Sequence, residues 1–521
     1  MKELVWHRQY LPLVEREATR TFAVEAATGR VSTYGESAAR VLRLASALRT
    51  ELAVAPGDRV AVMSLNSTAF LELYHAGLLG AAVVNPLNLR FAPRELAHVL
   101  ADSGTQVVFV DAAFAGVIAS VREQAGVRTV VLLGDGPDGT PHDLRYEDLL
   151  AAGEEVVPPE PEEDDPALLM YTGGTTGLPK GVVLTQRSLM LTGYHMALSF
   201  ELTDEPYLAQ VPMFHAASMG AVIGGPFTRG GSLVIVPVFD PEAVMSACET
   251  YACGNTIMVP TMLAMTFAHP GYRPERLRSL QRMTYGASPM PRPVLDRLRA
   301  DQPQLRLFQG YGMTESAALV SVLRPEDHDR EDRLTSAGRP VPGTVVTVQD
   351  ALGTVLPVGE VGEVCIRGGQ LMREYWQRPQ ETAEAFSDGW YHSGDAGRLD
   401  QDGYLFLVDR TKDMIVSGGE NVYSTEVEGA LASHPAVAQV AVIGVPDDVY
   451  GEAVHAVVVL APGRTATEAE LITHAKGLIA GYKAPRSVEL RAEPLPLSGA
   501  MKVLKRDLRA PYWEGRERAV H

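Results

Sequence analysis

The sequence predicts an α/β protein with a large, multi-lobed N-terminal domain followed by a small α+β C-terminal domain. Three observations carry this expectation. The chain has 521 residues, more than the roughly 250–300 that a single hydrophobic core usually serves. Its first half alternates helical and strand signals, the pattern of layered α/β architecture. A second set of alternating elements begins after Asp409–Lys412.

Ala38, Val41, Ala45, Leu48 and Leu52 recur at spacings of three and four, so Ser37–Leu52 reads as an amphipathic helix. Arg59–Met63 is a short strand, Leu71–Leu79 returns to helix, and Ala81–Val84, Val107–Val110 and the run from Val127 repeat the strand signal. The stretch EEVVPPEPEEDD ends at Asp165, and its prolines oppose helix and sheet alike. It is expected to divide two lobes near residues 155–166. ALLMY then makes a strand that runs into TGGTTGLPKG. The large domain is expected to span residues 1–411 and the small one 412–521. In the tail, Thr425 with Glu428 and Thr467 with Glu470 have capping-box spacing, and VAQVAVIGV and VHAVVVLA read as strands.

A hydrophobic share of 46% with Gly 48 and Pro 35 suits a globular chain with many turns. A net charge of -18 disfavours a nonspecific nucleic-acid binder, whose affinity comes from Lys and Arg against phosphates. Cys248, Cys253 and Cys365 are too few and too scattered for a disulfide framework or a zinc ligand cluster, which fits a reducing compartment. The N-terminal MKELVWHRQYLPLVEREATR carries charge where a signal peptide needs an apolar core, so secretion is not expected. The apolar run HAGLLGAAVV is too short to span a bilayer. A cytoplasmic enzyme is the resulting expectation.

TGGTTGLPKG is the most informative segment. Gly173, Gly174 and Gly177 allow tight curvature and close approach of backbone amides to an anion. Thr172, Thr175 and Thr176 add hydroxyl donors, and Lys180 adds a mobile positive charge. Pro179 restricts Leu178 and stiffens the exit. Leu178 and Pro179 separate Gly177 from Lys180, so this is not the nucleotide loop of the P-loop fold. From the residues alone, a phosphate cradle and a structural turn both stand. Glu315 beside Thr314 offers a hard oxygen ligand for Mg2+ and a hydroxyl for phosphate, or simply the start of a helix. Asp395 after Ser393–Gly394 suits ribose hydroxyls, or a turn.

The loop resembles the phosphate-binding signature of the adenylate-forming superfamily of acyl-CoA synthetases, peptide synthetase adenylation domains and firefly luciferase. YGAS at Tyr285–Ser288, YGMTE at Tyr311–Glu315, YHSGD at Tyr391–Asp395, DRTKDMIVSGG at Asp409–Gly419 and the closing PLPLSGAMKVLKRDLR follow in family order. The resemblance covers nearly the whole chain.

It implies that Glu315 binds Mg2+, Thr314 contacts the α-phosphate, Tyr311 packs on adenine, and Gly286, Ala287 and Ser288 line the base and the adjoining acyl cavity. Asp395 and Arg410 would hold the ribose. Lys412 would be the hinge of a mobile small domain that alternates between an adenylation pose and a thioesterification pose. Gly418 and Gly419 would then border the pantetheine path. Lys502 would be the adenylation lysine, bridging carboxylate and α-phosphate, with Lys505 a nearby competitor. The family usually has glycine before this lysine, where this chain has Met501, which removes backbone freedom and adds volume. His215 in VPMFHAASMG resembles a gate beside the acyl pocket, or is a satisfied structural histidine. No general base is required, because the attacking carboxylate is already ionised near neutral pH.

The implied reaction activates a carboxylic acid with ATP and Mg2+ to acyl-AMP and transfers the acyl group to CoA. A medium- or long-chain fatty acid, or a bulky hydrophobic acid, is the expected substrate. Loading of a carrier protein and a catalytically weak nucleotide-binding scaffold are the rival readings.

Overall fold

The computed structural model describes residues 3–172, 178–288, 290–410, 413–417, 420–447, 450–499 and 502–514, with the side chains of residues 409, 410, 420 and 421 outside that description. The fold is mixed α/β, with a large N-terminal domain and a small C-terminal one.

The first sheet runs in spatial order Glu374–Tyr375, Lys180–Thr185, Pro166–Thr172, Val83–Pro86, Arg59–Met63, Val107–Asp111, Thr129–Leu133 and Leu144–Arg145. Its central strands are parallel and buried along almost their whole length. That is why they read as continuous valine-rich runs rather than alternating ones. The expected strand Arg59–Met63 forms with those limits. The expected Ala81–Val84 strand starts later, at Val83, because the Ala81 N–H closes the preceding helix onto the Ala76 carbonyl at 3.1 Å. The helix anticipated over 37–52 spans Tyr34–Thr50, since Thr33 and Glu36 form a full capping box that starts it earlier. Its five pattern residues are all buried, as their spacing requires.

The acidic connector does not separate one lobe from another. Pro166–Thr172, directly after it, pairs with Val83–Pro86 from before it, so residues 155–166 cross the surface of one sheet's layer. Composition marked the solvated segment correctly but could not show that the next strand returns to the same sheet.

The second sheet joins Thr21–Glu25 and Arg30–Thr33 to strands from 207 to 340. Tyr207–Ala209, Leu233–Ile235, Asn255–Met258, Arg282–Gly286 and Arg306–Tyr311 are parallel within it. A third, mainly antiparallel sheet holds Val345–Gln349, Gly362–Arg367, Phe386–Ser387, Trp390–Leu399 and Leu405–Arg410.

Past Arg410 the chain enters a fourth sheet, built from Ile415–Ser417, Glu420–Val422, Val437–Asp447, Gly451–Leu460 and Ser487–Arg491, with its own buried core. Thr467 and Glu470 form the expected capping box. Thr425 and Glu428 do not. Tyr423 occupies the N-cap position of the Ser424–Ala432 helix without a side-chain cap bond, Thr425 Oγ1 donates to the Val408 carbonyl, and Glu428 Oε1 accepts the Val442 N–H at 2.8 Å. Tertiary partners outcompete the local cap. Among the described residues no helix is long and apolar enough to cross a membrane.

An aromatic cluster ties the N-terminal helix Trp6–Arg16 to the large domain. His75, fully buried, stacks on Trp6 with centroids 5.4 Å apart and meets Phe227 edge-on at 4.6 Å. Its Nε2–H donates to the Val222 carbonyl at 3.2 Å, while Nδ1 is buried and meets no partner among the described residues. Burial, opposed only weakly by that bond, pushes its pKa down to about 4. The unfolded imidazole titrates near ~6.5 and so binds its proton first as pH falls. Stability contributed by neutral His75 is therefore complete above ~6.5 and is lost progressively as pH drops toward about 4. Denaturant unfolding at pH 7 and pH 4.5 should show a decline of which His75→Gln removes roughly one proton's worth of slope.

Candidate active site

In parallel sheets the carboxyl ends of the strands share one edge, and loops leaving that edge build sites. Thr172, Gly286 and Tyr311 each end such a strand. Gly286 lies in register with Gly310. A Cβ on Gly286 would come within 2.3 Å of the Gly310 carbonyl oxygen, so only glycine allows these strands to pack there. Ala287 follows in the left-handed region at φ +67, turning the chain out of the sheet toward half-buried Ser288. Beyond Tyr311, Gly312 is pressed against Ala318, whose carbonyl oxygen a Cβ would meet at 2.1 Å. The YGMTE segment thus folds back on itself and presents Thr314 and Glu315 at the sheet edge, in a short 3-10 turn.

Tyr311 Oη donates to Asp395 Oδ2 at 2.6 Å, and both residues are buried. Sequence reasoning placed both at a nucleotide, and the fold brings them together from different sheets. Arg410 is the strand-pairing partner of Asp395, so its backbone lies beside it. Its side chain lies outside the described residues.

Lys180 opens the Lys180–Thr185 strand directly opposite Thr172. Its ammonium pairs with Glu381 and lies 5.5 Å from the centre of the Tyr375 ring. The Tyr375 hydroxyl donates to Glu315 Oε1 at 3.1 Å, and the Glu315 carbonyl accepts the Met372 N–H at 2.7 Å. Burial, then the charge of Glu315, holds the Tyr375 and Tyr391 phenols far above their ordinary range, so they stay protonated donors. Lys180, Glu315, Glu381, Tyr375 and Tyr391 therefore form one polar wall. Glu315 suits Mg2+, which takes one or two carboxylates and fills the remaining positions with phosphate oxygens and water. Gly173, Gly174, Thr175, Thr176 and Gly177 lie outside the described residues, as do Lys412, Gly418, Gly419 and Met501.

The second half of the site comes from the small domain. Leu497 and Val503 bridge across a hairpin in which the Ser498 N–H donates to the Lys502 carbonyl at 2.7 Å. The Lys502 N–H donates to Ser498 Oγ at 3.2 Å. Arg90 of the large domain donates to the Leu497 carbonyl. Gly499 lies so close to the large domain that a Cβ would come within 2.5 Å of Asn88 Oδ1 and 3.1 Å of Phe214. Docked in this way, the hairpin brings the Lys502 charge to bear on His215. Burial, and second Lys502, lower the His215 pKa to about 3. Its Nδ1 accepts the Ala217 N–H at 3.2 Å, so the ring is neutral at physiological pH. Lys505, the competing lysine, is committed elsewhere, to Glu428 at 2.7 Å and Ser424 at 2.6 Å within the small domain.

Phe214 and Met213 are core side chains, with Phe214 also facing Gly499. Gly220, after Met219, and Gly193, on the preceding helix, serve close packing. A Cβ on Gly220 would meet the Tyr207 hydroxyl at 2.9 Å, and one on Gly193 would meet the Ile223 carbonyl at 2.9 Å. Sequence reasoning missed Tyr375, Glu381, Asn88 and Arg90. The run from Tyr375 to Glu381, with an aromatic pair, a proline and an acid, carried a local signal. Arg90 had none, since its partner lies 407 residues away.

Residues 14–376 match the family model described as AMP-binding enzyme, and residues 426–502 match the AMP-binding enzyme C-terminal domain. The chain is similar to a feruloyl-CoA synthase of Amycolatopsis sp, 41% identical over 486 residues, covering 93% of this chain and 94% of the relative. It is also similar to a long-chain-fatty-acid–CoA ligase of Mycobacterium tuberculosis, 37% identical, covering 94% and 95%. A fatty acid–[acyl-carrier-protein] ligase of Streptomyces coeruleorubidus is 35% identical, covering 95% and 94%. Among solved structures, ATP-bound MatB from Rhodopseudomonas palustris superposes with a TM-score of 0.88 at 28% identity, covering 98% of this chain and 99% of that one.

Arg90 holds the hairpin from outside the small domain, so its removal should loosen that element selectively. Arg90→Ala should speed amide hydrogen exchange at Ser498 and Lys502 by about tenfold, the scale of one lost charge-assisted bond. Exchange in the Gly451–Leu460 strand should stay unchanged.

Proposed function

Because the chain belongs to the AMP-binding enzyme family, we infer from its assembled site how an AMP-forming acyl-CoA ligase works with these particular residues. The enzyme uses ATP, Mg2+ and CoA and converts a carboxylic acid to acyl-AMP and then to acyl-CoA. One observation carries the assignment of residues. The Leu497–Val503 hairpin docks through Gly499 beside Asn88 and Phe214 and brings the Lys502 charge to bear on His215, which supports Lys502 as the lysine that meets the nucleotide bound at Thr172, Gly286, Tyr311 and Glu315.

Asp395 and Arg410 hold the ribose, and Tyr311, fixed by its bond to Asp395, packs on adenine beside Gly286, Ala287 and Ser288. Lys180 exchanges Glu381 for phosphate oxygens, joined by Thr172 and the loop of Gly173, Gly174, Thr175, Thr176 and Gly177. Thr314 contacts the α-phosphate. Glu315 would hold Mg2+, which when bound would offset phosphate charge. A substrate carboxylate oxygen forms a bond to the α-phosphorus as the bond to pyrophosphate breaks. Lys502 stabilises the charge that shifts in that step. Neutral His215 borders the acid without competing as a second cation or acting as a base. In the second step the CoA sulfur bonds to the acyl carbon, AMP leaves with the electron pair, and the thiol proton passes to solvent.

The large domain spans 1–411 and the small domain 412–521. The latter turns about Lys412 so that Gly418 and Gly419 reach the pantetheine path. The change of sheet after Arg410 supports that boundary. The docked hairpin corresponds to the adenylation pose. Three unpaired, buried cysteines support a cytoplasmic setting.

The acid is a bulky hydrophobic carboxylate. An arylpropenoate of the feruloyl type is the first candidate, on the strength of the 41% relative, ahead of a medium- or long-chain fatty acid. The carrier-protein ligase relative keeps a protein-bound thiol as the alternative acceptor.

Incubation with ATP, Mg2+, an acid panel and either CoA or a carrier protein tests this reading by product mass. Ferulate giving a CoA thioester supports it. Acyl transfer only to the carrier protein would replace CoA as the acceptor. Lys502→Ala should lower acid-dependent ATP–pyrophosphate exchange by about 100-fold or more. It should leave CoA transfer from preformed acyl-AMP within a few-fold of the parent.

A further inference from the structure

The most telling cluster outside the proposed reaction lies on the third sheet. Cys365 and His392 are directly opposed partners on the antiparallel strands Gly362–Arg367 and Trp390–Leu399. Cys365 Sγ lies 3.5 Å from His392 Nδ1, and His392 Nδ1 lies 2.9 Å from Glu363 Oε2. One donor atom from each of the three residues falls within 4.8 Å of the others. None of the three has a role in the reaction described above.

We propose that Glu363, Cys365 and His392 form a binding site for a thiophilic divalent cation of the zinc class, with water as the fourth ligand. The donor set is thiolate, imidazole and carboxylate, the mixture such ions take. Tetrahedral bonds of about 2.3 Å to sulfur and about 2.0 Å to nitrogen set those atoms about 3.5 Å apart. The observed sulfur–nitrogen separation is 3.5 Å. The Glu363 oxygen lies 2.9 Å from His392 Nδ1, within a few tenths of an ångström of the roughly 3.3 Å that two tetrahedral bonds of about 2.0 Å set.

Access and support are both present. The Glu363 and His392 side chains are 31% and 22% exposed, which gives an ion a way in, while Cys365 is wholly buried behind them. The other Glu363 oxygen, Oε1, accepts the Gly394 N–H at 3.0 Å and orients the carboxylate. On binding, the thiol loses its proton to solvent as the sulfur–metal bond forms, and Nδ1 gives up its hydrogen bond to Glu363 for the ion.

The spacing of the cysteines alone predicts no zinc cluster. The site arises only because strand pairing sets position 365 against position 392.

The test is a Zn2+ titration of the full chain, free of affinity tags and nucleotide, followed by calorimetry and proton release. The expected result is one ion per chain with micromolar affinity, released protons, and a raised melting temperature. Cys365→Ser should weaken binding by about 100-fold or more. Cys248→Ser, at a buried thiol in another sheet layer, should leave it intact. Co2+ should show a sulfur-to-metal charge-transfer band that Cys365→Ser abolishes. Should Cys365→Ser fail to fold, His392→Asn serves, with the same loss expected. No saturable binding below a millimolar, or binding that survives both variants, would overturn the site and leave a plain hydrogen-bonded cluster.

Discussion

The site depends on one steric seat, Gly499 against Asn88 and Phe214. A side chain at 499 would press on both, so glycine lets the hairpin seat without shifting them. Docking sets the position of Lys502 relative to the large domain. The polar wall of Lys180, Glu315 and Tyr375 is complete within the large domain alone. Lys502 comes with the hairpin, from the small domain. In the proposed reaction, a site divided in this way would gather its full positive charge in only one of two domain arrangements.

The large domain's share of the site is legible for a physical reason. Glycines forced by strand proximity, as at Gly286, and residues at strand carboxyl ends stay close to one another in the sequence. Their motifs therefore read as short strings, and Thr172, Gly286, Tyr311, Thr314, Glu315 and Asp395 are candidates that the sequence alone offers. Arg90 acts by meeting something far away in the chain, and no local pattern marks it.

The same distinction explains the two structural misreadings. Acidic, proline-rich composition identifies a solvated connector, but not whether the strands on its two sides share a sheet. The spacing of Thr425 and Glu428 identifies a possible cap, yet the Val408 carbonyl and the Val442 amide claim those side chains. Where the local partner had no rival, at Thr33 with Glu36 and Thr467 with Glu470, the capping box formed.

The division of labour between Lys502 and His215 follows from electrostatics. Two cations held side by side in a buried pocket would repel each other, and each would lose hydration. The imidazole, already disfavoured as a cation by burial, gives way and stays neutral beside the ammonium. In the proposed reaction that leaves Lys502, rather than His215, to bring charge to the junction of carboxylate and phosphate. A protonated His215 would also bind the acid more tightly before reaction, and binding that is equal in the ground and transition states adds nothing to the chemical step. Under the proposed mechanism, placing the charge on a residue that arrives with the hairpin, rather than on one fixed in the pocket wall, would confine the stabilisation to the step that needs it.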